Sequence, residues 1–529
     1  MRGILGRPGR GRDEPHGPSI HAHIVAHLRP DGPGLLPGGD ALPDDERDAA
    51  GIPWAPGALD GVLTHHAGGG GTGATDVGEI LLLLGAAAIG GDDAVAALER
   101  QLDGQSFVGL VDPLLDGVRA GGTPPDRILA LGRRLATMSR SRNAVKLGIA
   151  LIGLTAGTAD RDVLLTLGRH DEFTLFSAVA LAATEPDAEG ALWELARRVE
   201  GWGRIHLVER LQHTTRPEIR DWLLREGHRN TVSDGYLAAI GAGAGGLADA
   251  LARAEPDEEL IGVARHLVGT MLEPWGPGGG LDDYDEAPRA LDLLLGHLAR
   301  RPPSLAELGT VDLVATFLDD DAGWDARAVT WPTGLRERLQ ARCAEIRARP
   351  EWPALVAAGL ASGDAVAFSD ARRAAVALGV ETLDAQLRFA AEHPARADWF
   401  ALMREVDASR IDRAVELAMT GLALDELATG PALELGLGAG LGPAMTLGLV
   451  VQELRRFPGR GWPVIRIALQ NPVIRNRNMA LHALGTWPRT AWPADAVPVL
   501  EAAARAEQDP DVRARMEALL ASPAHEEHA

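Results

Sequence analysis

A phrase of the form Pro-x-Ile/Val-Arg occurs three times along this chain, and its spacing limits the fold more than any other feature. It reads Pro217-Glu-Ile-Arg220, Pro472-Val-Ile-Arg475 and Pro510-Asp-Val-Arg513. The last two copies begin at 472 and 510, 38 residues apart, and the likeness continues: Arg477, Ala480 and Leu481 align with Arg515, Ala518 and Leu519. Proline at the first helical position leaves no hydrogen bond unmade, because that N–H would be unpaired anyway. Asn471 and Asp509 stand where a cap is wanted; Arg216 does not, so Thr214 or Thr215 is expected to cap there. The Ile or Val faces inward, and the arginine after it is expected to reach acidic groups on the next repeat. A period of this length, filled by two amphipathic helices and no strands, predicts an all-α superhelical solenoid of stacked antiparallel helix pairs.

Composition agrees with one repeated kind of unit. Leu, Ala and Gly dominate all 529 residues; the chain is 46% hydrophobic and 24% charged, and aromatics make up only 4%. Few β-branched runs and few aromatics favour helix over sheet. The net charge of −22 opposes general affinity for nucleic acid or an anionic membrane, both of which need dense Lys and Arg. Lys146 is the only lysine, so the cationic side of the surface is arginine. Cys343 is the only cysteine, which excludes an internal disulfide and fits a reducing, cytoplasmic setting. No run approaches 20 apolar residues, and the basic opening Met1–Pro8 has no apolar stretch behind it, so neither a membrane span nor a secretory signal is expected.

Five segments follow. Residues 1–53 read as a Pro/Gly-rich tail and cap, 54–273 as a first solenoid segment, 274–286 as a Gly/Pro/acidic loop, 287–522 as a second solenoid segment, and 523–529 as a polar tail. The Trp-Pro steps at Trp331, Trp352, Trp462, Trp487 and Trp492 are expected at helix edges with their indoles packed in the joints, because a residue before proline is driven out of the helical region. The Gly68/Gly70/Gly73 and Gly241/Gly243/Gly246 patterns lack the strand that must precede a dinucleotide loop. Asp282, Asp283, Asp285 and Glu286 lack the glycine and terminal glutamate of a calcium loop.

One helix, expected over 202–213, carries the strongest chemical pattern. His206, Glu209 and His213 fall on one face at spacings of three and four, which suits a divalent metal, although the order matches neither zincins nor di-iron bundles. A polar helix face paired to its neighbour explains the same residues. Asp60, His65 and His66, with Arg204, Arg210 and Arg225, are expected to form a ligand or partner surface. No cofactor motif is present, and a divalent metal is the alternative to none. The leading expectation is a scaffold binding a protein or peptide on its concave face. Its rival is an enzyme or small-ligand protein with a site near His206, Glu209 and His213, completed by Asp60 or His65 and His66.

The repeat resembles the HEAT-like family. Within it, residues 54–236 are similar to a set of bacterial HEAT-like proteins through Gly57-Ala-Leu-Asp60 with His65-His66, Val145-Lys-Leu-Gly-Ile-Ala150, Glu172-Phe-Thr174, Trp202-Gly-Arg-Ile-His206 and Trp222-Leu-Leu-Arg-Glu-Gly227. Some members carry the label limonene hydroxylase, so the resemblance implies terpene hydroxylation. That chemistry needs haem, flavin or non-haem iron. Cys343 lies in an arginine-rich helix without a haem pattern, and no flavin fingerprint occurs.

Overall fold

The computed structural model describes residues 17–45, 54–66, 77–155, 158–273, 276–434, 436 and 442–522. The Gly68–Gly73 loop, residues 1–16 and 46–53 of the predicted N-terminal tail and cap, and the 523–529 tail lie outside them. The described chain is all-α: helices and short helical turns supply its regular structure, and the only pairings of extended backbone are isolated bridges at Leu28–Leu35 and Glu434–Val473. No described helix is long and apolar enough to cross a membrane.

Contacts divide the chain into two compact units. The first is built on Ala55–Leu247 with the N-terminal segment and Trp275–Gly279; the second is built on Gly280–Ala529 with Ala248–Pro274.

In the first unit, Pro125–Met138 packs on the next helix, Arg142–Leu154, and from there alternate helices continue the row: Arg142–Leu154 on Asp171–Thr184, and that on Gly201–Leu211. Arg142–Leu154 is the middle of the stack, with Val145, Leu147, Ile149 and Leu151 wholly buried. Its close approach to Pro125–Met138 depends on paired glycines. A Cβ on Gly148 would come within 2.5 Å of Ala136 N and 2.8 Å of Gly132 O, so any side chain there would push the helices apart. Gly246, in the left-handed region at φ 73°, ends the helix Ala238–Gly245, and so the second glycine pattern includes a helix stop.

In the second unit, Leu305–Leu318 packs on Leu335–Arg347 and Ala365–Ala377, and Gly442–Leu454, Ile474–Thr486 and Pro510–Ala521 form another row. Tryptophan indoles close its joints. Trp352 Nε1 donates to Ile346 O at 2.7 Å, Trp487 Nε1 to Leu454 O at 3.0 Å and Trp492 Nε1 to Leu484 O at 3.2 Å.

The recurring phrase behaves partly as expected. Asp509 caps its helix through Asp511 N and Val512 N, and Thr214 Oγ1 accepts from Arg216 N at 3.2 Å. At the middle copy the helix begins only at Ile474, and Asn471 Oδ1 accepts from Val473 N ahead of it. The arginine expectation needs correction. Arg220 donates to Ala244 O, Arg513 to Glu507 O and Arg475 to Gln452 Oε1, none of them a carboxylate. The acid pairing falls two residues later. Arg477 is fully buried and grips Glu507 with two bonds of 2.7 and 2.9 Å, while its remaining N–H groups reach Asn471 O, Pro472 O and Ala432 O. Three of the four 282–286 acids also have structural partners: Asp282 pairs with Arg327, Asp283 accepts from Gly280 N, and Glu286 pairs with Arg289.

Candidate metal centre

The short helix Ala58–His65 would be marginal alone, and three buried charges anchor it. Lys146 Nζ, on Arg142–Leu154, donates to Asp60 Oδ2 at 2.7 Å and to Glu172 Oε1 at 2.6 Å. The other oxygen of Glu172 accepts from Gly57 N at 3.0 Å, just before the short helix begins. Burial pushes Asp60 upward in pKa. Burial acts upward on Glu172 too, but the charges of Lys146 and Arg142 and the bonds from Lys146 and Gly57 N hold it down at about 2. Burial also opposes the Lys146 charge, yet Glu172 and Asp60 overcome it and raise that pKa. The ammonium is therefore fixed as a cation. It positions helices rather than serving as a free base.

The second wall of the site is Gly201–Leu211, where Trp202, His206 and Glu209 follow at intervals of four and three residues and share a face. Trp202 lies directly on Gly61; a Cβ there would overlap the indole, and its absence lets the two helices meet one turn below His65. His65 Nδ1 contacts Gly61 O at 2.9 Å and Nε2 contacts Glu209 Oε1 at 2.7 Å. With oxygen acceptors at both ring nitrogens, His65 is held above its ordinary pKa, first by the Glu209 bond. His206 is the opposite case. It is 3% exposed, burial lowers its pKa to about 4, and among the described residues its ring makes no hydrogen bond. Its ring centroid lies 5.3 Å from that of His65. One ligand atom from each of His65, His206 and Glu209 falls within a mutual 4.8 Å.

Aromatic groups border this triad. Tyr236 lies 5.1 Å from Trp202 and 5.5 Å from His65 between ring centroids, and its hydroxyl meets His66 Nε2 at 2.7 Å. Burial raises the Tyr236 pKa.

The structure thus joins His206 and Glu209 with His65, while His66 stands beside them through Tyr236. His213 is not part of the group. The helix ends at Leu211, so His213 leaves the shared face and is exposed. Asp60 is spent on Lys146. Arg204 donates to Val199 O and Arg229 O, Arg210 to His206 O, and Arg225 to Asp221 Oδ1. In the N-terminal helix, His23 meets Gly39 O and His27 meets His23 O. Sequence reasoning missed Tyr236 and the anchoring role of Lys146. The uniqueness of that lysine was the one signal available for it.

The donor set fits a borderline divalent ion. The Nδ1 contact of His65 with a backbone carbonyl is the outer-shell bond that orients an imidazole to ligate through Nε2, and His206 is already neutral. A metal would replace the proton now shared between His65 and Glu209. Two imidazoles and one carboxylate leave coordination positions for water or a small ligand. Cys343, whose thiol burial lifts to about 12, has no part in this chemistry. No protein-family model matches the chain, and no curated protein matches it significantly.

Proposed function

We propose that this chain is a HEAT-like α-solenoid whose first unit binds one divalent transition-metal ion through His65, His206 and Glu209. The observation that carries this reading is the convergence of three donors from helices 144 residues apart in sequence at the His65–Glu209 contact, with one imidazole oriented by Gly61 O and the other buried, neutral and unbonded. Two further points support it. Short motifs scattered from Gly57 to His206 meet in one place: Asp60, Lys146 and Glu172 in the anchor, and His65 and His206 in the donor set. Alternate helices in a row are also the packing that stacked hairpins produce. A protein-binding scaffold would instead draw on free guanidinium groups, whereas Arg204, Arg210 and Arg225 donate to groups of the chain itself.

The test is metal analysis of untagged protein, followed by zinc titration of the chelator-stripped chain. One equivalent per chain is expected. His65→Ala, His206→Ala and Glu209→Gln should each weaken binding by roughly tenfold or more, and His213→Ala should leave it unchanged. Substoichiometric metal, together with His206→Ala titrating like the wild type, would end the proposal.

The donor set favours one catalytic extension. Two histidines and a carboxylate with open positions are the ligands of non-haem iron(II) oxygenases, which hydroxylate unactivated C–H bonds. This supplies the hydroxylase label of similar proteins with ligands that neither haem nor flavin provides here. Oxygen uptake by the iron(II)-loaded chain on addition of a monoterpene, with a two-electron reductant such as ascorbate supplied to carry the second oxygen atom to water, supports that reading; iron loading without substrate-dependent uptake removes it and leaves metal binding intact.

A further inference from the structure

The chain carries a net charge of −22, yet three arginines of the first unit stand together away from its ion pairs. Arg29, Arg169 and Arg198 gather around the loop that follows the first described helix, Ile20–Ala26. Arg29 donates to Leu35 O at 3.2 Å, Arg169 Nη2 to Arg29 O at 2.9 Å, and Arg198 Nη1 to Pro30 O at 3.1 Å. Among the described residues none of the three forms an ion pair. Arg169 and Arg198 also line a cavity of about 280 Å³ whose walls include Thr166 and the apolar side chains of Leu28, Leu165 and Leu195. Arg169 Nε is buried there without a hydrogen-bond partner. Two carboxylates share the lining, Asp162 and Glu194, and Glu194 is already paired with Arg161 at 2.6 Å.

We propose that this cavity binds a small organic phosphate, its anionic head on Arg169 and Arg198 and its apolar body against Leu28, Leu165 and Leu195. The carbonyl contacts use one nitrogen of each guanidinium and hold both in place, which leaves other N–H groups for the two-pronged contact that phosphate oxygens favour. Burial, then the neighbouring charges of Arg198 and Arg29, pull Arg169 below its ordinary pKa, a strain that an anion relieves. Volume and lining suit a ligand of a few heavy atoms beyond its head. The site shares no residue with the metal centre and stands or falls separately.

Calorimetric titration of the full chain, with chelator present and ionic strength fixed, tests the proposal using inorganic phosphate, phenyl phosphate and benzoate. Phenyl phosphate should bind saturably, and roughly tenfold more tightly than inorganic phosphate because its ring covers the leucines. Arg198→Gln should weaken it by about tenfold or more. Asp162→Asn, which touches none of the carbonyl bonds, should strengthen it about two- to fivefold by removing the unpaired carboxylate; this arm decides the matter if the arginine variant fails to fold. His206→Ala should change nothing, and loss of binding there would move the phosphate to the metal centre and overturn the assignment. No saturable heat with phenyl phosphate, or an unchanged constant in Asp162→Asn, would overturn it too. Benzoate binding as tightly as phenyl phosphate would reject a phosphate site in favour of a carboxylate one.

Discussion

Replacing Lys146 by Met isolates the anchor beneath the cluster of His65, His206 and Glu209. Methionine keeps most of the stem and removes the charge, stranding Asp60 and Glu172 in an interior where both were paired at 2.7 and 2.6 Å. Removing one partner of a buried pair costs about 3–5 kcal/mol. The Glu172 shift is consistent with that scale: it falls from 4.5 to about 2 on folding, about 3 kcal/mol in all, of which Lys146 supplies part and Arg142 and Gly57 N the rest. For a unit of this length each kcal/mol moves the midpoint by about 2–4 °C, so the first unit should melt about 6–20 °C lower at pH 7. The sign with pH is fixed. A depressed carboxylate stabilises the fold above its unfolded value, here 4.5, and that stabilisation disappears as pH falls through about 2. The gap between wild type and Lys146→Met is therefore full at neutral pH and closes between about pH 4 and pH 2. Thermal melts followed by far-ultraviolet circular dichroism measure both effects, and adding Glu172→Gln should recover part of the loss. A midpoint within about 2 °C of wild type at pH 7, or a gap that stays constant with pH, would show that the triad does not anchor the helix.

Three further outcomes follow from the packing around these groups. The raised pKa of His65 means that its pair with Glu209 stabilises fully below about pH 6.5 and is lost as pH rises through the folded value, so in chelator His65→Gln should lower the midpoint more at pH 5.5 than at pH 8.5; zinc affinity should run the other way, rising up to about tenfold per pH unit while the proton competes for Nε2. Gly61→Ala forces a methyl group into Trp202 and should cost about 1–3 kcal/mol in denaturant melts, with a change in tryptophan emission. Arg477→Met leaves Glu507 buried without its partner and should cost about 3–5 kcal/mol in the second unit, while Arg477→Met with Glu507→Leu should return most of it.

The helical character was legible because periodicity and capping are local: Asp509, Thr214 and the tryptophans at Trp352, Trp487 and Trp492 could be placed from their immediate neighbours. The site was legible only as a set of candidates. His206 and Glu209 were found by spacing along one helix, but the same spacing argument brought in His213, because it assumed a helix running two residues past Leu211. His65 was chosen for its residue type, and nothing near it in the chain says that Gly61 lets Trp202 in and brings Glu209 within 2.7 Å. Arg477 illustrates the same limit in the second unit. A repeat alignment marks it as recurrent, but its buried partner thirty residues away is a property of packing.

The separation of His65 from its partners also has a meaning in time. During synthesis His65 leaves the ribosome 141 residues before His206, and at about 5–20 residues per second the interval is roughly 7–28 s. Throughout that interval the first histidine has neither its carboxylate nor its companion imidazole, while the helices from Val77 to Thr184 are already free to stack. A nascent chain could therefore hold an ion at this place only after Gly201–Leu211 has docked, and metal occupancy would date the arrival of that helix.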